Sequence, residues 1–324
     1  MTAKIRIGMV GCGLVARRHA KWLAVEDRAE LRACYDPLLE SAQEFAAQFA
    51  PSAAIATDED AIFARDDLDA VILCSPTLRH YDQVCRALDR GWHVLCEKPL
   101  AGQREQIVEI IARHAGSGRI FSIAHQRRYL SPFATARREL TERAEQYGPL
   151  QQVHIFVCER WQQTIAGTWR DDPQMGAGYF GDAGIHQIDV MHFITGRRAE
   201  SLFAASNRWG SHVEINTRVI AELTGGVGLA AHFVGNAHHL REDLHFHCRD
   251  ADLLIRGEDV FRAHENRVEP ITDRVPDSNP DRAFLDAIES GQPTVTPPEI
   301  ALPIYDWTQA VLRSIREGVR VTVT

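Results

Sequence analysis

The seven cysteines of this 324-residue chain are odd in number and contain no C-x-x-C pair. Cys12, Cys34, Cys74, Cys85, Cys96, Cys158 and Cys248 are dispersed. That pattern excludes a disulfide framework and predicts free, mostly buried thiols in a reducing compartment, the cytoplasm. Basic charge is also short: 36 Lys+Arg stand against 44 Asp+Glu, a net charge of −8. A phosphate-backbone binder needs a basic surface, so no nucleic-acid partner is expected. No run approaches the ~18 apolar residues of a membrane span, so no membrane partner is expected either. The N-terminus enters a strand-like run at once and lacks the three regions of a secretory signal. What is present is an ordinary globular balance, 45% hydrophobic and 25% charged, over a length that fits about two domains of ~150 residues.

Short β-rich runs alternate with helical stretches over the first 124 residues. Strands are predicted over 5–10, 31–35, 70–74, 93–96 and 120–124, and helices over 14–25, 38–49, 78–90 and 103–115. A weaker β–α pair lies around 54–64. This alternation specifies βαβ units in a doubly wound parallel sheet. Runs such as VILC and IRIGMV are apolar on both faces, as expected where helices cover both sides. The rhythm then changes. A helical stretch over 132–147 ends at Gly148-Pro149, and β-rich runs follow over 152–157, 202–205, 216–223, 228–234, 244–248 and 253–255. One helix, 179–194, interrupts them. Two more form the tail from Pro280, the second with Ile304, Trp307, Val311 and Ile315 at helical spacing. The expected architecture is an α/β domain, 1–124, followed by an α+β domain, 125–324, with a large open, mainly antiparallel sheet.

Residues 11–16, Gly11-Cys-Gly13-Leu14-Val15-Ala16, form a G-x-G-x-x-A pattern between the first strand and the first helix. Gly11 permits the tight turn, Gly13 lets the backbone approach a pyrophosphate, and Ala16 permits close helix–strand packing. The helix N-terminus then offers N–H groups and positive potential to phosphates. Asp36 ends the next strand, 25 residues after Gly11, where a carboxylate accepts hydrogen bonds from an adenosine ribose. It repels a 2′-phosphate, and Pro37 and Leu38 supply no basic residue to hold one, so NAD is favoured. Arg17 and Arg18, in the first helical turn, keep NADP open.

Glu97-Lys98-Pro99 follows the apolar strand HVLC. Ligands of open parallel sheets sit at the carboxyl ends of the strands, which places Lys98 near the nicotinamide. Pro99 restricts Lys98 to extended geometry. On a helix, Asp182 and His186 are i and i+4, and Asp189 lies three residues after His186, so all three share one face. A histidine flanked by carboxylates is held in one orientation with raised basicity. A helix-stabilising Asp–His pair is the plainer alternative. No metal is expected, because three groups on one helix face rarely chelate without a ligand from elsewhere. His245 and His247 share a strand face around Phe246 and read as a sheet face at a subunit contact rather than a metal site.

Four segments in order, GCGLVARRHA, CSPTLRHYDQVCRAL, GWHVLCEKPLA and GAGYFGDAGIHQIDVMHFITG, resemble the Gfo/Idh/MocA family of NAD(P)-dependent oxidoreductases. The tail FLDAIESGQPTVTPPEIALPIYDWTQAVLRSIREG also resembles the family's, so the likeness spans nearly the whole chain. It implies a Rossmann domain plus a domain with a large open sheet. It implies that Lys98 is the catalytic lysine, with a cis Lys98–Pro99 bond, and that Asp182 and His186 match the catalytic Asp and His. Ser75, Pro76, Thr77 and His80 fall in the family's nicotinamide-side motif, and with Glu97 they join the cofactor-binding candidates. Arg127-Arg128-Tyr129 resembles the segment after the sixth strand in the inositol dehydrogenase branch, and Arg128 and Asp189 are candidate substrate contacts. Leu78 departs from the polar residue that many members carry there.

The expected activity is hydride transfer between a secondary alcohol of a sugar, polyol or inositol and NAD(P). His186 is the base, oriented by Asp182, and Lys98 stabilises the substrate oxygen. The alternative is a redox-neutral NAD-dependent glycosidase or lyase. A non-catalytic NAD sensor has no need of Lys98, Asp182 and His186 together. Consecutive strands with few covering helices leave an open sheet face, which predicts a homodimer or homotetramer through the C-terminal sheet.

Overall fold

In the computed structural model, which describes residues 4–173 and 177–323, the chain divides into two compact units. One is Met1–Tyr129 with Ser278–Leu302, the other Leu130–Asp277 with Pro303–Thr324. The first unit runs β1 (Ile5–Val10), α1 (Leu14–Leu23), β2 (Ala29–Tyr35), α2 (Leu39–Phe49), β3 (Ala54–Ile55), α3 (Glu59–Phe63), β4 (Ala70–Leu73), α4 (Thr77–Asp89), β5 (His93–Cys96), α5 (Arg104–Ala115) and β6 (Phe121–Ile123). Its strands pair in parallel in the order β3-β2-β1-β4-β5-β6. This is the doubly wound order, with its switch point between β1 and β4. Every residue of β4 is buried, as a central strand covered on both faces requires. All the strands and helices firmly expected here form within two residues of their expected ends.

The second unit begins with α6 (Ser131–Glu142), β7 (Leu150–Cys158), α7 (Trp161–Ile165) and α8 (Ile185–Thr195). Then come β8 (Ala199–Asn207), β9 (Asn216–Leu223), β10 (Val227–Val234), β11 (Arg241–Cys248), β12 (Asp252–Arg256), β13 (Asp259–His264) and β14 (Arg267–Pro270). The tail supplies α9 (Pro280–Ser290), α10 (Ala301–Glu317) and β15 (Val321–Thr322). Nine strands form one sheet in the order β14-β13-β12-β11-β7-β10-β9-β8-β15. Alternation is clean: Val219, Ala221 and Leu223 on β9 are buried, whereas Arg218, Ile220 and Glu222 are exposed. The buried face shares a core with Phe180, Ile188 and Met191, and with Trp307 and Val311 of α10. Pairing is antiparallel except for β7 with β10, which run parallel because two helices and two strands separate them in sequence.

Two features differ from the sequence reading. The tail was expected to belong wholly to the second domain, but α9 joins the first unit. Phe284 and Leu285 pack among Ile7, Met9 and Leu95, and Asp281 bonds His19. The helix expected over 179–194 opens as a wide i→i+5 turn, Phe180–Gly184, before α8. Gly184 lies there with its Cβ position 2.8 Å from the Phe180 ring and 3.2 Å from Phe233, a closeness that only glycine permits. Gly176, the first residue of that family-like segment, lies outside the described residues.

Candidate functional site

The carboxyl end of the parallel sheet gathers the sequence-predicted cofactor residues of the first unit. Gly11 has φ +85°, and a Cβ on it would stand 2.8 Å from the Cys74 carbonyl group, so glycine is required where the β1 turn presses on the end of β4. Gly13 is exposed, and nothing lies within 4 Å of its Cβ position, which leaves the backbone open to an approaching group. Ala16 is fully buried against the sheet, as helix–strand packing demands. Asp36 Oδ2 accepts from the Cys12 N–H at 2.8 Å, and Oδ1 from the Leu38 N–H at 2.9 Å. Each oxygen keeps a lone pair for a ribose hydroxyl. Leu14, Leu38, Leu39 and Leu78 are largely exposed at the helix starts beside this crevice, an apolar rim suited to flat aromatic rings. Leu38 and Leu39 were not picked out as site residues from the sequence. These groups fit a dinucleotide: an open backbone turn for the pyrophosphate, a carboxylate for the ribose and apolar surfaces for the rings.

Arg17 is tied to α2. It donates to Gln48 at 3.0 Å and Glu44 at 2.9 Å on α2. Arg18 lies over the Trp22 ring, 5.6 Å from its centroid, and 3.9 Å from Glu97. The Ser75 hydroxyl donates to Gln83, which donates to Glu59 at 2.8 Å, while Pro76 is exposed and Thr77 half-buried at the start of α4. His80 has a structural place. Its side chain is buried, and its two ring nitrogens lie 2.8 Å from the Ser75 and Pro99 carbonyls. Burial holds its pKa below the ordinary imidazole value, against the pull of both carbonyls. The ring braces the β4 turn to the Lys98–Pro99 turn.

The Lys98–Pro99 bond is cis, as the resemblance implies. Glu97 accepts from the Lys98 N–H at 3.1 Å. Behind it lies a buried relay that the sequence reading missed. His19 Nε2 is 3.3 Å from Glu97 Oε1, and His19 Nδ1 is 2.8 Å from Asp281 Oδ2. The side chains of His19 and Asp281 are fully buried. Burial opposes charge on His19, but the Asp281 carboxylate outweighs it and lifts the imidazole well above its ordinary pKa. Burial likewise pushes Glu97 up, and its bond to His19 turns the balance, leaving it below the usual carboxylate range. Cys74 and Cys96 are pushed up by burial and are inert thiols, and all seven cysteines are unpaired. Arg128 is buried and donates to the Val295 carbonyl at 2.8 Å.

In the second unit, Asp182 lies in the wide turn and accepts from Trp161 Nε1 at 3.3 Å and Arg170 Nε at 3.1 Å. These partners were not visible in the sequence, because neither is near Asp182 along the chain. His186 is half-buried in the first turn of α8. Asp189 is buried in the same helix. The even i, i+4 offset expected of a regular helix does not describe the Asp182–His186 step, since the turn between them is wider.

The strand order, the glycine turn and the carboxylate after β2 define the class, a dinucleotide-binding α/β protein. Comparison with known proteins agrees. Residues 5–125 match the GFO/IDH/MocA oxidoreductase family, NAD-binding Rossmann fold, and residues 133–254 match the GFO/IDH/MocA C-terminal domain. The chain belongs to the Gfo/Idh/MocA family, and the cofactor of its first unit is NAD. It is 27% identical to D-glucoside 3-dehydrogenase of Escherichia coli over 199 residues, 60% of this chain and 55% of that protein. It is 25% identical to an inositol 2-dehydrogenase/D-chiro-inositol 3-dehydrogenase of Halalkalibacterium halodurans over 248 residues, 72% of this chain and 66% of that one. The chain thus spans less than two thirds of the length of these curated relatives. The apo scyllo-inositol dehydrogenase of Lactobacillus casei shares the fold, with a TM-score of 0.84 at 20% identity over 100% of this chain and 99% of that one. Among the described residues no helix is long and apolar enough to cross a membrane.

Proposed function

We propose that the chain oxidises a secondary alcohol of a sugar, polyol or inositol-like substrate with NAD as acceptor. The observation that carries this reading is the set of groups at one end of the parallel sheet. An open glycine turn, the Asp36 carboxylate and the braced Lys98 turn all project from the carboxyl ends of its strands. The sugar and inositol dehydrogenases among the relatives support an alcohol of that class.

Bound NAD would supply the hydride acceptor. Gly11–Ala16 would seat its pyrophosphate and Asp36 its adenosine ribose. Ser75, Pro76 and Thr77 would line the nicotinamide side. His186 takes the hydroxyl proton as hydride leaves carbon, and Asp182 steadies it. Lys98 donates a hydrogen bond to the oxygen as negative charge develops there. The His19–Glu97 contact and the Glu97–Lys98 bond hold that turn in one conformation. Asp189 and Arg128 are proposed for substrate contacts only through the shape they impose, since both are buried.

The working form is proposed to be a homodimer or homotetramer through the open sheet face. Phe156, Phe203 and Ile220 are exposed on that face, 38%, 43% and 66%, and offer apolar side chains to a second copy. Seven unpaired thiols support a cytoplasmic setting. The test is NADH absorbance over a panel of inositols, aldoses, sugar acids and amino-sugar derivatives. NADH formed in proportion to ketone product supports the reading. NAD binding with no NADH from any of them removes it.

A further inference from the structure

Four histidines lie on the solvent-facing side of the nine-stranded sheet. His245 and His247 alternate along β11 with Leu244, Phe246 and Cys248, whose side chains are buried on the other face. His154 on β7 stands directly across from His245, with ring centroids 6.0 Å apart, and His232 lies on β10. Asp252, at the start of β12, points its carboxylate into this group. Its Oδ2 is 3.0 Å from His245 Nε2, and its Oδ1 is 2.7 Å from His247 Nδ1. The two imidazole rings are perpendicular, 5.7 Å apart. One donor atom from each of the three residues lies within 4.8 Å of the others.

We propose that His245, His247 and Asp252 form a binding site for a zinc-type divalent transition-metal ion. Two imidazole nitrogens and one carboxylate oxygen are the donors that such ions favour, and three protein ligands leave the fourth tetrahedral position to water. The donors are pre-positioned. β11 pairs with β12 over 243–246 and with β7 through both His245 and His247, and its buried alternate residues keep the two histidines on the outer face. Neutral imidazole is the form that binds. Each ring shifts its single hydrogen to the far nitrogen as the near one takes the ion, so no oxidant or added base is needed. In the single chain the side chains of His245 and His247 are 41% and 51% exposed and that of Asp252 is 22% exposed, so none of the chain's own elements covers the three donors. The site stands whether or not the chain oxidises a polyol.

The experiment titrates the metal-stripped full chain with Zn²⁺ by calorimetry and with Co²⁺ by visible absorption. The expected result is one ion per chain, with the d–d bands of four-coordinate cobalt. His247→Ala and Asp252→Ala each weaken binding by about tenfold or more, and Gln152→Ala, a neighbour on β7, leaves it unchanged. No binding, or binding that neither substitution moves, overturns the proposal. A second measurement needs no variant. Zn²⁺ should protect His245 and His247 of the wild-type chain from carbethoxylation, read by peptide mapping, and equal modification with and without zinc overturns the site equally.

Discussion

Replacing Asp281 by Asn removes one charge from the fully buried end of the relay. The perturbation is almost isosteric, and the partner is named: His19 Nδ1, 2.8 Å from the carboxylate. Both side chains are fully buried, so solvent screens nothing. Breaking a buried ion pair from one side costs about 3–5 kcal/mol. Here the lower end applies, because His19 keeps Glu97 at 3.3 Å as its remaining counter-charge. Asp281 Oδ1 is buried without a hydrogen-bond partner, so the amide loses no second bond there. At about 2–4 °C per kcal/mol for a unit of this size, the melting midpoint should fall by roughly 6–12 °C. The pH dependence gives an independent sign. The folded-state pKa of His19 lies well above its ordinary 6.5. A raised pKa contributes stability that is fully present below the unfolded value and is lost as pH rises through the folded value. The wild-type midpoint should therefore decline as pH is raised above neutrality, and His19→Gln should abolish that component. The assay is scanning calorimetry of wild type, Asp281→Asn and His19→Gln across that range. Asp60→Asn serves as a control, since its carboxylate is 91% exposed beside Arg86. An Asp281→Asn midpoint indistinguishable from wild type would refute the claim that the relay is charged.

Three further outcomes are expected. Asp36→Ser should weaken NAD binding and narrow the preference over NADP, read by cofactor titration, and a wild type that binds NADP more tightly would contradict the ribose role of Asp36. Gly11→Ala should destabilise by at least ~1–3 kcal/mol, the cost of a left-handed alanine. The contact with the Cys74 backbone adds to this, so NAD affinity should fall with stability, and unchanged affinity would mean that the turn does not seat the cofactor. Sedimentation at micromolar concentration should give a dimer or tetramer, and Ile220→Asp, on the open sheet face, should shift it toward one chain. A wild-type mass of one chain would exclude the proposed contact.

What the sequence disclosed and what it concealed divide along physical lines. Strand β1, the glycine turn and Asp36 were legible because their signals are local: apolar periodicity, positive φ at Gly11 and a fixed spacing. The relay was not legible. His19 meets Glu97 across 78 positions and Asp281 across 262, and nothing in either neighbourhood announces the other. The same distance concealed the place of α9, whose Phe284 and Leu285 are amphipathic in any setting and find their core far upstream. The wide turn at Phe180–Gly184 depends on Gly184 meeting Phe233 from β10, a tertiary contact that overrides helical spacing. Asp252 is a different case. It stands five and seven positions from His247 and His245, across one hairpin, so the H-x-H strand and its aspartate are near neighbours in the sequence itself.

In the proposed reaction hydride passes from a secondary alcohol to NAD, with His186 as the base. Single-turnover transfer, measured by NADH absorbance on whichever polyol or sugar the panel identifies, tests it most directly. Wild type should form NADH, and His186→Ala should lose about 10²–10⁴-fold in transfer rate, the usual worth of a positioned acid–base group, while binding NAD as before. Lys98→Ala should also lose rate, and Asp182→Asn should lose less than His186→Ala, because the imidazole remains. A His186→Ala protein that transfers hydride at the wild-type rate would contradict the mechanism, and a wild type that binds NAD but forms no NADH from any alcohol on the panel would contradict the function.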